Sequence, residues 1–162
     1  MTDKRATTEK LCVALIGSFR QHYNEVLRVA SVFTQHGWSI RSPKCSSLVS
    51  GGLFVRFETD DRQLSDAEIQ SLTLKNIFAA DLAYVVNPNG YIGRTTCYEI
   101  GRIIQRRQPI YFLSQPEDLP VEIPMWAVIS PPDLLRSLGL SPKPRWLFDG
   151  TTSNVATIER QL

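Results

Sequence analysis

The sequence predicts one α/β domain built on a mostly parallel, five-stranded sheet. Continuous apolar runs at Leu11–Ile16 and Leu82–Val86 suit strands buried on both faces, as strands in parallel sheets are. Segments of helical spacing alternate with those runs, and Gly or Pro marks most junctions. The resulting order is strand, helix, strand, helix, strand, helix, strand, strand, the pattern of a crossover-connected sheet.

The first strand, Leu11–Ile16, ends in Gly17. Tyr23 to His36 carries Val26, Ala30 and Phe33 at helical spacing, and Gly37 stops it. Trp38–Arg41 is a short second strand broken by Ser42 and Pro43. Residues 42–64 read as a long loop rich in Ser and Gly, with Leu53–Glu58 as a possible extra strand. Ser65-Asp66-Ala67-Glu68 is a capping box that opens a helix to about Ala79. Asp81–Val86 is the third strand, with Asp81 in a structural cap or turn role. The turn Asn87–Gly93 leads to a helix from Thr96 to about Arg106, then to a strand at Ile110–Leu113. Trp126–Ile129 is the fifth strand, and Pro132–Leu138 a short helix stopped by Gly139. Residues 1–10 read as a flexible lead-in, 11–139 as the domain and 140–162 as a polar tail. In that tail only Trp146-Leu147-Phe148 looks able to dock, and the last dozen residues read as mobile.

Composition narrows the function classes. The chain has 162 residues, 43% hydrophobic and 21% charged, enough for a core without staples. Eighteen Lys and Arg against sixteen Asp and Glu give a net charge of +2, so no broad cationic face for polymeric nucleic acid is expected. Cys12, Cys45 and Cys97 form no CxxC pair, which speaks against a disulfide framework or zinc site, and Cys12 reads as a small buried hydrophobe. His22 and His36 have no partner at metal-ligand spacing. No metal or cofactor is expected. The polar first ten residues and the lack of a long apolar run point away from a signal peptide and a membrane partner, with the cytoplasm as default compartment.

Ligands of open α/β sheets bind outside the carboxyl ends of the strands, which singles out the loops after strands one and three. In the first, Gly17 permits a tight turn, Ser18 offers a hydroxyl and Arg20 a fork suited to phosphate. Neither a P-loop nor a dinucleotide fingerprint is present, and a plain turn with a solvated Arg fits the same residues. In the second, Gly90, Gly93, Thr95 and Thr96 precede a helix whose free N–H groups favour an anion. Tyr91 can stack on a base, bond a sugar hydroxyl or plug the sheet edge. Glu99 has two readings. A carboxylate in the first helical turn, its pKa lowered by the helix dipole, can attack an anomeric carbon. Thr96-Cys97-Tyr98-Glu99 is equally a T-x-x-E capping box.

Three blocks in order extend this reading: Val13-Ala14-Leu15-Ile16-Gly17-Ser18-Phe19-Arg20, Ile77 through Asn87, and Gly90-Tyr91-Ile92-Gly93 through Tyr98-Glu99-Ile100-Gly101. With them the chain resembles the nucleoside 2-deoxyribosyltransferase-like superfamily, which includes nucleoside deoxyribosyltransferases and nucleoside 5′-monophosphate N-glycosidases. The resemblance spans Leu11 to Leu113. It implies a flavodoxin-like three-layer sandwich and cleavage of an N-glycosidic bond, with Glu99 as nucleophile toward C1′. Gly17, Ser18 and Arg20 match the glycine-serine-x-arginine stretch of the monophosphate hydrolases, implying a nucleotide whose phosphate the Gly93–Thr96 turn also holds. A homodimer or higher homo-oligomer is implied as well. Two positions depart from the family pattern. An aspartate that assists the leaving base is replaced by Thr73, and a strand-one tyrosine that orients the nucleophile is replaced by Ala14. Asp60, Asp61 or Tyr91 are the residues open to substitute for the acid. The departures leave a nucleotide-binding or sensing module as the alternative.

Overall fold

The computed structural model describes residues 10–44, 48–49, 54–140, 143–150 and 152–162. The expected lead-in falls almost wholly outside them, as does Cys45. In chain order the elements are β1 (Cys12–Gly17), α1 (Phe19–Gln35), β2 (Ser39–Ser42), β3 (Leu48–Val49), β4 (Arg56–Phe57) and α2 (Asp66–Phe78). There follow β5 (Leu82–Val86), α3 (Arg94–Gln105), β6 (Ile110–Phe112), α4 (Pro131–Leu140) and α5 (Asn154–Glu159).

The main sheet is parallel throughout, in the order β2-β1-β5-β6. Strand alternation divides the core into two layers. Val13 and Leu15 of β1 and Tyr84 of β5 pack toward α1 and α4, with Val26, Phe33 and Leu134. Ala14, Ile16, Ala83 and Val85 pack toward α2 and α3, with Ile77, Ile100 and Ile103. This is a flavodoxin-like three-layer α/β fold. Asp81 has the structural role expected of it: its Oδ2 accepts from the Cys12 N–H at 2.7 Å. Cys12 itself is half-buried at the edge of the core.

The main sheet has four strands, not five. Met125–Ala127 forms a 3-10 turn, and only Val128 bridges to Phe112 in parallel. Pro124 precedes the turn, and Pro131 with Pro132 opens α4 two residues past Ile129, so little chain is left to form a ladder. The segment expected at 53–58 contributes β4, which pairs antiparallel with β3 outside the main sheet; Leu53 lies outside the described residues. The capping box of α2 forms on both sides: the Glu68 N–H donates to Ser65 Oγ at 3.3 Å, and the Ser65 N–H to Glu68 Oε2 at 2.8 Å. α1 starts one turn earlier than expected, but His22 breaks the helical path (φ −128°, ψ 27°), so regular helix does begin at Tyr23.

In the tail, Trp146, Leu147 and Phe148 dock into the α2/α3 layer as expected, whereas residues among the last dozen, expected to be mobile, form α5, which buries Ala156 in the same layer. Trp146 donates its indole N–H to the Ile104 carbonyl at 3.1 Å, and Arg160 donates to the Phe148 carbonyl at 2.8 Å. Among the described residues no helix is long and apolar enough to cross a membrane.

Candidate functional site

From β1 the chain runs through α1 to β2 on one side of the sheet, and from β5 through α3 to β6 on the other, so the carboxyl ends of β1 and β5 form the switch point. Gly17 and Val86 are paired there. A Cβ on Gly17 would lie 2.5 Å from the Val86 carbonyl oxygen, so glycine is what lets β1 close against β5 at its end. Gly90 (φ 80°) is required on the same ground, since a Cβ would stand 2.6 Å from the Gln115 carbonyl oxygen.

Two helix starts meet at this edge. Ser18 caps α1 and Gly93 caps α3, and neither makes a side-chain capping hydrogen bond. No capping side chain therefore covers the first N–H groups of either helix. The two caps are neighbours: a Cβ on Gly93 would sit 3.9 Å from Ser18 Oγ and 3.9 Å from the Tyr91 ring.

Between these elements and the β4 segment lies a cavity of about 410 Å³, within the usual range for small-molecule sites. Every residue selected from the sequence lines it: Gly17, Ser18 and Arg20 from the first loop, and Tyr91, Gly93, Thr95, Thr96 and Glu99 from the second. Tyr91 is exposed at 43%, and its ring meets the His22 ring edge-on at 6.4 Å between centroids. The sequence reading missed the opposite wall: Phe19, Phe54, Val55 and Phe57, with Gln70 from α2, and it passed over Arg94. Phe19 and Phe57 pack edge-to-face at 5.7 Å, giving that wall an apolar, aromatic character. β4 was invisible as a site element because its place beside α1 is set by tertiary packing.

Glu99 lies deep in the cavity, at 6% exposure. α3 begins at Arg94, two residues before the predicted start, so Glu99 falls in the second turn and the T-x-x-E box does not form. Its carboxyl is held instead across the fold, where Gln70 Nε2 donates to Oε1 at 2.9 Å. No other partner reaches the Glu99 carboxyl among the described residues. The expected lowering of its pKa is reversed. Burial, which disfavours the charged form, pushes it up to about 7, and the Gln70 hydrogen bond opposes that only in part.

The two departures from the family pattern have distinct places. Thr73 lines the cavity one turn along α2 from Gln70. Ala14 is wholly buried in the α2/α3 layer. Asp60 and Asp61 line a separate, adjoining hollow, which leaves Glu99 as the one carboxylate lining the cavity among the described residues. Among those residues no three His, Cys, Asp or Glu side chains gather as a metal site would require.

No family model matches the chain, and no curated protein matches it. A solved structure similar to it is that of a conserved protein from Enterococcus faecalis V583, at 13% identity and a TM-score of 0.44. The match covers 64% of this chain and 62% of the other, so the chain spans less than two thirds of that relative. At this distance the likeness carries no argument about the site.

Proposed function

We propose that the protein cleaves the N-glycosidic bond of a nucleoside 5′-monophosphate or a close relative, with Glu99 as nucleophile. The observation that carries this reading is a single buried carboxyl, held from one side and lining a nucleotide-sized cavity at the switch point. The starts of α1 and α3, which no side chain caps by a hydrogen bond, together with Ser18 and the Arg20 and Arg94 side chains, give the phosphate its ground. The aromatic wall of Phe19 and Phe57 gives the base an apolar face. In the reaction, ionised Glu99 bonds to C1′ while the C1′–N bond breaks and its electron pair leaves with the base, which takes up a proton. Water then bonds to C1′, the ester to Glu99 breaks, and the carboxylate is restored as the water proton is lost. A second base in place of water gives transfer. By resemblance to the nucleoside 2-deoxyribosyltransferase-like superfamily the proposal extends to a homo-oligomer, and the sequence reading of its compartment extends it to the cytoplasm.

A specific observation favours a second reading, a nucleotide-binding or sensing module. Thr73 lines the cavity at the position where the family pattern has the acid that assists the leaving base, and losing a general acid costs roughly 10²–10⁴ in rate. One experiment separates the readings: incubation with a panel of purine and pyrimidine nucleoside monophosphates, with free base measured. The enzyme reading predicts base release that Glu99→Gln abolishes and that rises with pH through about 7 as Glu99 ionises. Binding without release, unchanged by Glu99→Gln, supports the module and contradicts the enzyme.

A further inference from the structure

We infer that Gln70 is the positioning residue for Glu99: its carboxamide holds Oε1 and leaves Oε2 as the attacking oxygen. This rests on the reading of Glu99 as the nucleophile. The contact joins two elements, α2 and α3, and is the single hydrogen bond of the Glu99 carboxyl among the described residues. Gln70 occupies the face of α2 that carries Leu74 and Ile77, both buried, at the next positions of the helical repeat. A leucine would pack on that stripe, whereas a half-buried amide there must be satisfied, and Glu99 is the acceptor it finds. Its backbone is well anchored, one turn past the completed capping box and beside buried Ile69. β1 offers no alternative donor, because Ala14 has no side-chain polar atom.

An amide N–H donated to a carboxyl favours its ionised form and restricts its rotamers. Gln70 therefore does two things for a buried nucleophile, aiming it and opposing the burial that keeps it protonated. Among the described residues, the other ionisable groups lining the cavity are Arg20 on α1, Arg94 on α3 and Tyr91 in the turn before it; β4 contributes Phe57, which does not titrate. The two substitutions below leave all of these in place.

The test titrates the Glu99 side-chain carboxyl by ¹³C NMR in the free protein, in wild type, Gln70→Leu and Gln70→Lys. Leu removes the donor and moves the midpoint up by about one unit; Lys supplies a charged donor and moves it down. The acid limb of the base-release profile moves in the same directions. With Leu, the rate at high pH falls roughly tenfold or more while KM for the nucleotide stays close to wild type, since aim is lost and not binding. Midpoints unchanged in both variants, with only a lower melting temperature, overturn the inference. If Gln70→Leu does not fold, the Lys arm decides alone. Midpoints that move while wild type releases no base contradict the chemistry assigned to Glu99 and uphold the hold of Gln70 on it. Midpoints that stay while wild type releases base overturn Gln70 alone.

Discussion

Burial and hydrogen bonding pull the Glu99 carboxyl in opposite directions, and burial wins. The consequence is a stability penalty of determinate sign. Below the ordinary value of 4.5 the group is protonated in both folded and unfolded chains and contributes nothing. As pH rises from there toward about 7, the unfolded chain loses the proton and the folded chain keeps it, so stability falls. Above about 7 the full penalty applies, on the order of 3 kcal/mol. Glu99→Gln removes the titration and keeps an oxygen for Gln70 to donate to. Urea unfolding is expected to find the variant more stable than wild type at pH 8 by about that amount, and similar at pH 4.5. An equal difference at both pH values contradicts the burial argument. Glu99 was legible because its block of residues has an ordered spacing along one loop and helix. Gln70 was less so, although it left a trace: positions 70, 73, 74 and 77 of one helical stripe read Gln, Thr, Leu, Ile, and the two polar members lie toward the helix start. In a crossover helix that end lies at the carboxyl edge of the sheet, so polar residues on the buried stripe there mark a site.

Among the elements, Gly17 and Gly93 serve the two turns at the switch point in different ways. Gly17 sits against β5, and Gly17→Ala drives a methyl group into the Val86 carbonyl, prising apart the strand ends that carry both binding loops. Overpacking of this kind costs roughly 1–3 kcal/mol, which denaturant melts resolve. Gly93 has an extended backbone (φ −74°, ψ 161°), and a methyl group there meets only ordinary contacts, with Ser18 and Tyr91. Gly93→Ala is expected to fold with near-wild-type stability and to weaken nucleotide binding, because the methyl group enters the space between the two helix starts. Isothermal titration checks this; unchanged affinity would remove the phosphate from that position. The sequence located both loops but misread where α3 starts by two residues. Gly93 serves as its cap without a side-chain hydrogen bond, so no capping side chain announces the start. The fifth strand failed for a related reason, since Trp126–Ile129 has strand-like residues but too little chain between Pro124 and Pro131 to pair along a neighbour.

Across the whole molecule, the alternation of apolar runs and helical stretches was sufficient for the layer order, because a parallel sheet can be covered on both faces in few ways. What it could not show is where distant segments return. Trp146, Leu147 and Phe148 announced their docking as the one apolar run of the tail, but Ala156, alone on its helix, did not, and together they complete the α2/α3 layer. The aromatic wall likewise depends on β4 reaching α1 over a sequence gap that no local pattern bridges. The central claim is the bond between Glu99 and C1′. Its most direct test is mass spectrometry of the protein after incubation with 2′-deoxy-2′-fluoroarabino nucleoside 5′-monophosphates, since fluorine beside C1′ slows breakdown of a glycosyl ester. The account predicts one fluoropentosyl phosphate on the peptide that carries Glu99, with an equal amount of base released; base released with no adduct, or an adduct that survives Glu99→Gln, contradicts it.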